Sequence, residues 1–129
     1  KPTYRTKPQQ SEAELQDAVR KLLTLEGLLW YEFAPPGSRA RCPRCGVGVG
    51  ALGGANPPGW PDMLVILAGE RPIYIHLELK AGRGKLSLQQ HYRGSEISRV
   101  GGHFWQIRTV EDLIDVLRLY GHTMRTGPR

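Results

Sequence analysis

The sequence predicts an α/β domain, a mixed sheet with helices packed on it, in the chain order α-β-β-β-α-β-α. Three observations predict it. Capped segments with apolar residues at helical spacing stand at both ends of the pattern. Between them an apolar run and a strictly alternating segment are joined by a turn containing Gly and Pro, and a Ser-capped segment then leads into one more short strand.

The first helix spans residues 11–26, with Leu15, Ala18, Val19, Leu22 and Leu23 at three- and four-residue steps and Gly27 placed to end it. Ser11 as N-cap and Glu14 three residues later form the pattern of a capping box. Residues 28–33, rich in Leu, Trp, Tyr and Phe, predict a first strand. Residues 34–59 are loaded with Gly and Pro and predict an irregular insertion with a short hairpin around its cysteines. Residues 63–67 form a continuous apolar run suited to a buried strand, and Gly69-Glu70-Arg71-Pro72 turns the chain into a third strand over 73–80. There Ile75, Leu77 and Leu79 take one face while Tyr74, His76, Glu78 and Lys80 take the other. After a basic turn at 81–85, Ser87 caps a helix running to about residue 100, and Gly101-Gly102 stops it. Residues 103–107 are the fourth strand, and Thr109 with Asp112 opens a last helix carrying Val110, Leu113, Ile114, Leu117 and Tyr120 on one side. A single domain over 11–120, with polar tails at 1–10 and 121–129, is the expected organisation.

At 40% hydrophobic and 23% charged residues the composition is that of a water-exposed globular domain. No apolar run approaches the roughly 18–20 residues that cross a bilayer, and residues 1–10 hold no signal-peptide core, which predicts a cytoplasmic protein with no membrane partner. The net charge of +6 favours a polyanionic partner. Its distribution points the same way, because no acidic residue lies between Glu32 and Asp62 whereas Arg39, Arg41 and Arg44 do. A phosphate guide and a solvated basic loop both satisfy that pattern.

Hydrolysis of a phosphodiester near neutral pH calls for a divalent metal that polarises the phosphoryl oxygen and acidifies a water, and for a cation near the developing charge. Mg²⁺ takes oxygen ligands, typically one or two carboxylates with waters and substrate phosphate. Asp62 opens the second strand and Glu78 nears the end of the third. If the two strands are antiparallel neighbours, those carboxylates converge on one ion, and Lys80 on the face of Glu78 reaches the same spot.

Pro61-Asp62 followed by Glu78-Leu79-Lys80 resembles the signature of the PD-(D/E)XK nuclease superfamily. The wider set, Gly59-Trp60-Pro61-Asp62, then Glu78-Leu79-Lys80, then Leu86-Ser87-Leu88-Gln89-Gln90, resembles its VRR-Nuc branch, and the likeness runs from Glu12 to about Leu117. The resemblance implies a restriction-endonuclease-like core and a Mg²⁺- or Mn²⁺-dependent deoxyribonuclease. It gives Asp62, Glu78 and the main-chain carbonyl of Leu79 as metal ligands, Lys80 as the group that orients water or stabilises the transition state, and Gln90 as an aid in placing the lysine, the water or the scissile phosphate. A further glutamate on the first helix would bond the metal or its water; helical spacing turns Glu12 toward the sheet and Glu14 sideways, so Glu12 is the choice and Glu14 the reserve. Stand-alone members of the branch are similar to Holliday-junction resolvases and act as homodimers, which implies branched DNA as substrate, in a bacterial cytoplasm or, for a phage-encoded chain, that of the host.

Each residue also has a purely structural role open to it. Glu78 and Lys80 can be a solvated pair, Asp62 a turn cap, Glu12 a complement to the helix dipole, Gln90 the capping-box partner of Ser87, and His76 a structural histidine. Cys42-Pro43-Arg44-Cys45 has the form of a zinc knuckle that needs two more ligands, from His76, His91, His103, His122 or a second subunit; a disulfide or two free thiols are the alternatives. Trp60 beside Asp62 is the tryptophan placed to meet a nucleotide, and Arg83 and Lys85 flank the catalytic strand as further phosphate contacts. A non-catalytic nucleic-acid-binding module of the same fold, or a zinc-ribbon interaction protein, are the competing functions.

Overall fold

In the computed structural model residues 10–33, 40–41, 44, 48–49 and 58–125 are described. They form helix α1 (Glu12–Leu25), strands β1 (Leu29–Glu32), β2 (Ala40–Arg41), β3 (Gly48–Val49), β4 (Met63–Leu67) and β5 (Ile73–Leu79), helix α2 (Leu88–Arg99), strand β6 (His103–Ile107) and helix α3 (Val110–Leu119). This is the predicted α/β order, with β2 and β3 pairing as the small ribbon expected in the insertion.

The main sheet has four strands in the order β1-β4-β5-β6. Both pairs within β1-β4-β5 are antiparallel, and β6 joins β5 in parallel after crossing over through α2. The β4-β5 hairpin has Met63 opposite Leu77 and Leu67 opposite Ile73, so the turn closes where Gly69 and Pro72 predicted it. Helices α1 and α3 cover one side of the sheet. Their Leu15, Val19, Leu23, Leu113 and Leu117 bury against Met63, Val65, Ile75, Leu77 and Ile107, all fully buried. Removing such a side chain from water contributes roughly 1.5–3 kcal/mol, so this layer holds the domain together.

On the other side α2 lies over β6. Gly94 is the contact point: a Cβ there would stand 2.6 Å from the Phe104 ring, so only a residue without one lets the helix come this close. The caps of α2 and α3 are full capping boxes, Ser87 with Gln90 and Thr109 with Asp112. At α1 the cap bond is Ser11 Oγ accepting from the Glu14 N–H at 3.1 Å, half of the expected box.

Two expectations are corrected. The third strand ends at Leu79, one residue early, although the Lys80 N–H still donates to the Ile107 carbonyl at 3.0 Å. The segment after α3, expected to be a polar tail outside the domain, docks on it as far as Arg125. Glu26 at the end of α1 is 1% exposed; it lies 2.9 Å from His122 Nε2 and accepts the Arg125 backbone N–H at 2.7 Å. A buried carboxyl requires such partners, and this one draws the chain back across the end of the first helix.

Candidate active site

The register that builds the sheet also builds the site. With Met63 opposite Leu77, the preceding residue Asp62 stands opposite Glu78, and Glu78 pairs with Gln106 on β6. Phe33 continues the row on the other side, donating its N–H to the Asp62 carbonyl at 2.9 Å. Phe33, Asp62, Glu78 and Gln106 therefore lie side by side on the face that carries α2. This is the convergence the sequence predicted for the two carboxylates.

Each acid is held by a neighbour. Asp62 Oδ2 accepts the Leu79 N–H at 2.8 Å, which fixes it against the partner strand. Glu78 Oε1 accepts from Gln90 Nε2 at 2.7 Å, and the Lys80 ammonium lies 3.8 Å from the same oxygen. Gln90 also keeps its place in the cap, its Oε1 accepting the Ser87 N–H at 2.8 Å. Gln90 thus makes two bonds with one side chain, its carbonyl accepting from the helix cap and its amide donating to the acid.

Burial and the closeness of the two acids work against ionising both at once. Glu78 is 2% exposed and its Oε2 is buried without a hydrogen-bond donor. Burial pushes its carboxyl up to about 8; the charge and side chain of Asp62 add to the rise, while Lys80 and the nearby Asp62 backbone oppose it. Asp62 is also raised, first by burial and then by the charge of Glu12, against the Leu79 N–H, the bond to Glu78 and Lys80. A half-buried and a buried acid side by side, with one oxygen unsatisfied, are groups of the kind a hard divalent cation can use as oxygen donors.

Of the two helix glutamates, Glu12 is the one whose charge acts on Asp62, although it is exposed at the start of α1. Among the described residues no three His, Cys, Asp or Glu side chains converge on one point. Arg44, Arg83 and Lys85 are exposed. Arg39, Cys42 and Cys45, together with the side chain of Arg41, lie outside the described residues. Of the histidines considered for zinc, His122 contacts Glu26 and His103 packs on Tyr120 at 4.5 Å between centroids.

Trp60 is half-buried and stands edge-on to Phe33 and His76, with centroids 5.8 and 5.5 Å away. His76 lies two positions before Glu78 on the same face, its Nδ1 buried without a partner and its pKa lowered by burial. Sequence reasoning missed Phe33 and Gln106. The alternation in β5 marked the face of that strand that carries Glu78, but their membership of the row follows from pairing between strands far apart in the chain. Comparison with known proteins gives no match to a family model, to a curated protein or to a solved structure.

Proposed function

We propose that this chain is a Mg²⁺- or Mn²⁺-dependent deoxyribonuclease of the PD-(D/E)XK type that hydrolyses phosphodiester bonds in branched DNA. The observation that carries the reading is the cross-strand pair Asp62 and Glu78, with the Lys80 ammonium 3.8 Å from Glu78 and one buried Glu78 oxygen lacking a donor. Paired acids in that state destabilise the fold unless a cation joins them. Retaining them together with a lysine is what a hydrolytic centre requires and what a passive binding module does not.

Asp62 and Glu78 would hold the ion, with the Leu79 carbonyl and Glu12 assigned to it by the family resemblance. When bound, the metal supplies Lewis acidity to the phosphoryl oxygen and a water that is acidic near neutral pH. Leu79 and Gln90 keep the two acids in fixed orientations through their N–H donors, so little reorganisation is left for the reaction itself. Lys80 brings a positive charge to the side of Glu78 where negative charge develops on the phosphate. The exposed Arg44, Arg83 and Lys85, with Arg39 and Arg41, supply the phosphate contacts that bring a strand to the centre. Preference for branched DNA and action as a homodimer belong to the proposal on the strength of the resemblance alone.

The test is incubation of purified protein with labelled linear, flap, splayed and four-way DNA in Mg²⁺, Mn²⁺ or chelator. Cleavage is expected with either metal and not in chelator. Lys80→Ala and Asp62→Asn should each lose about 100-fold or more in rate, since each removes a charged group at the reacting centre. Cleavage that persists undiminished in both variants, or no cleavage of any substrate with either metal, would overturn the reading.

A further inference from the structure

The face that carries Asp62 and Glu78 continues beyond them. Same-face residues recur at every second position, about 7 Å apart along a strand. The row beside Phe33, Asp62 and Glu78 is Tyr31, Leu64 and His76, and Tyr74 belongs to the row after it. Among the described elements, α2 is the helix on this side, and it lies over β6. Away from α2 the face reaches the surface: Tyr31 is 62% exposed and Tyr74 is 49% exposed.

Its rings form one connected series that ends at the acids. Tyr31 meets Phe33 edge-on at 5.1 Å between centroids, Phe33 meets Trp60 at 5.8 Å, and Trp60 meets His76 at 5.5 Å. Trp60 stands two positions before Asp62, and His76 two before Glu78. The outer face of an antiparallel sheet ordinarily carries polar residues into water. Here it carries aromatic rings beside Leu29, Leu64 and Ile66, and among the described strand residues no acid other than Asp62 and Glu78, in a chain of net charge +6. Aromatic side chains beside a phosphate-binding centre are a platform on which nucleobases of any identity stack. A base already paired inside a duplex keeps its faces covered by its neighbours and cannot use such a platform.

We infer that the sheet face formed by Tyr31, Phe33, Trp60 and His76 is a stacking site for unpaired nucleobases next to the scissile phosphate. Splayed or flapped DNA, with single-stranded nucleotides at the branch, is then preferred over a fully paired four-way junction. The inference rests on the reading of Asp62 and Glu78 as a phosphodiester centre, because that reading puts the strand at the edge of the platform.

Binding is measured in chelator, by fluorescence anisotropy, on splayed-arm DNA, four-way junction and linear duplex of equal length. The splayed arm carries 2-aminopurine beside the branch to report stacking by its quenching. Splayed DNA is expected to bind more tightly than duplex or junction. Tyr31→Ala should weaken splayed binding by about 5- to 10-fold and relieve the quenching while leaving duplex binding unchanged, and Tyr31→Phe should restore both. Tyr31 is exposed, so the melting temperature of each variant should match the parent and exclude misfolding. Equal affinity for the three DNAs, or an equal loss on all of them in Tyr31→Ala, overturns the inference. So does sedimentation showing that Tyr31→Ala dissociates a dimer without changing DNA discrimination, since the face would then be an interface between copies. Cleavage in Mn²⁺ with no preference for unpaired flanks defeats the stacking site and leaves the nuclease reading intact. Stacking on splayed DNA without cleavage in either metal does the reverse.

Discussion

A carboxyl group 2% exposed and directly beside a second acid holds its proton at neutral pH unless a cation replaces it. For Glu78 the folded value of about 8 stands above the ordinary 4.5. Its stabilising contribution is therefore fully present below about 4.5 and lost as pH rises through about 8. The metal-free protein should thus lose stability between about pH 5 and 8, in urea or thermal melts. Glu78→Gln should flatten that dependence and melt higher than the parent at pH 8 without metal. Mn²⁺ at about 100 times its dissociation constant should stabilise the parent by about 2.7 kcal/mol, with affinity rising as pH rises, and should leave Glu78→Gln unmoved. The double role of Gln90 can be separated in the same way. Ser87→Ala removes the cap alone, at about 1 kcal/mol, and should leave cleavage nearly intact. Gln90→Ala removes the cap bond and the amide on Glu78 together, so both the unfolding midpoint and kcat should fall.

Between elements, the close approach that decides the geometry of the site is at Gly59. Its φ is +82°, and a Cβ there would come within 2.5 Å of the Gln89 carbonyl in the first turn of α2. Gly59→Ala meets left-handed strain of about 1–2 kcal/mol and overpacking of about 1–3 kcal/mol. Denaturant unfolding should therefore show a loss of several kcal/mol at about the sum of these two effects. Because the displaced turn carries Gln90, kcat should fall as well. Elements of this kind were legible in the sequence where a period or a cap marked them: the alternation from Tyr74 to Leu79, the apolar run before Gly69, and Ser87 and Thr109 each with a partner three residues on. The pairing of Asp62 with Glu78 followed from the short turn between their strands. Phe33 and Gln106 could not be placed by the same reasoning, because no local pattern states which residue of one strand faces which of another.

At the scale of the molecule, the chain beyond α3 is tied to the end of α1 by the buried acid Glu26, with Met124 packed on the core beside it. Ending the chain after residue 121 removes His122 and the Arg125 N–H from Glu26, and should cost about 1–3 kcal/mol in urea unfolding. That docking was not legible, since Glu26 and His122 are 96 positions apart and the tail itself is polar. Asp62, Glu78, Leu79 and Lys80, by contrast, all lie within residues 62–80, on a single hairpin. Contacts so local in sequence need little loop closure before they form. The order of assembly follows from this. The hairpin is expected to be present in the folding transition state while the α1 layer consolidates later, so substitutions at Gly69 or Pro72 should slow refolding, and Leu15→Ala should chiefly accelerate unfolding in a chevron analysis. A nascent chain would then carry Asp62 and Glu78 in register before its hydrophobic layer has closed over the opposite side.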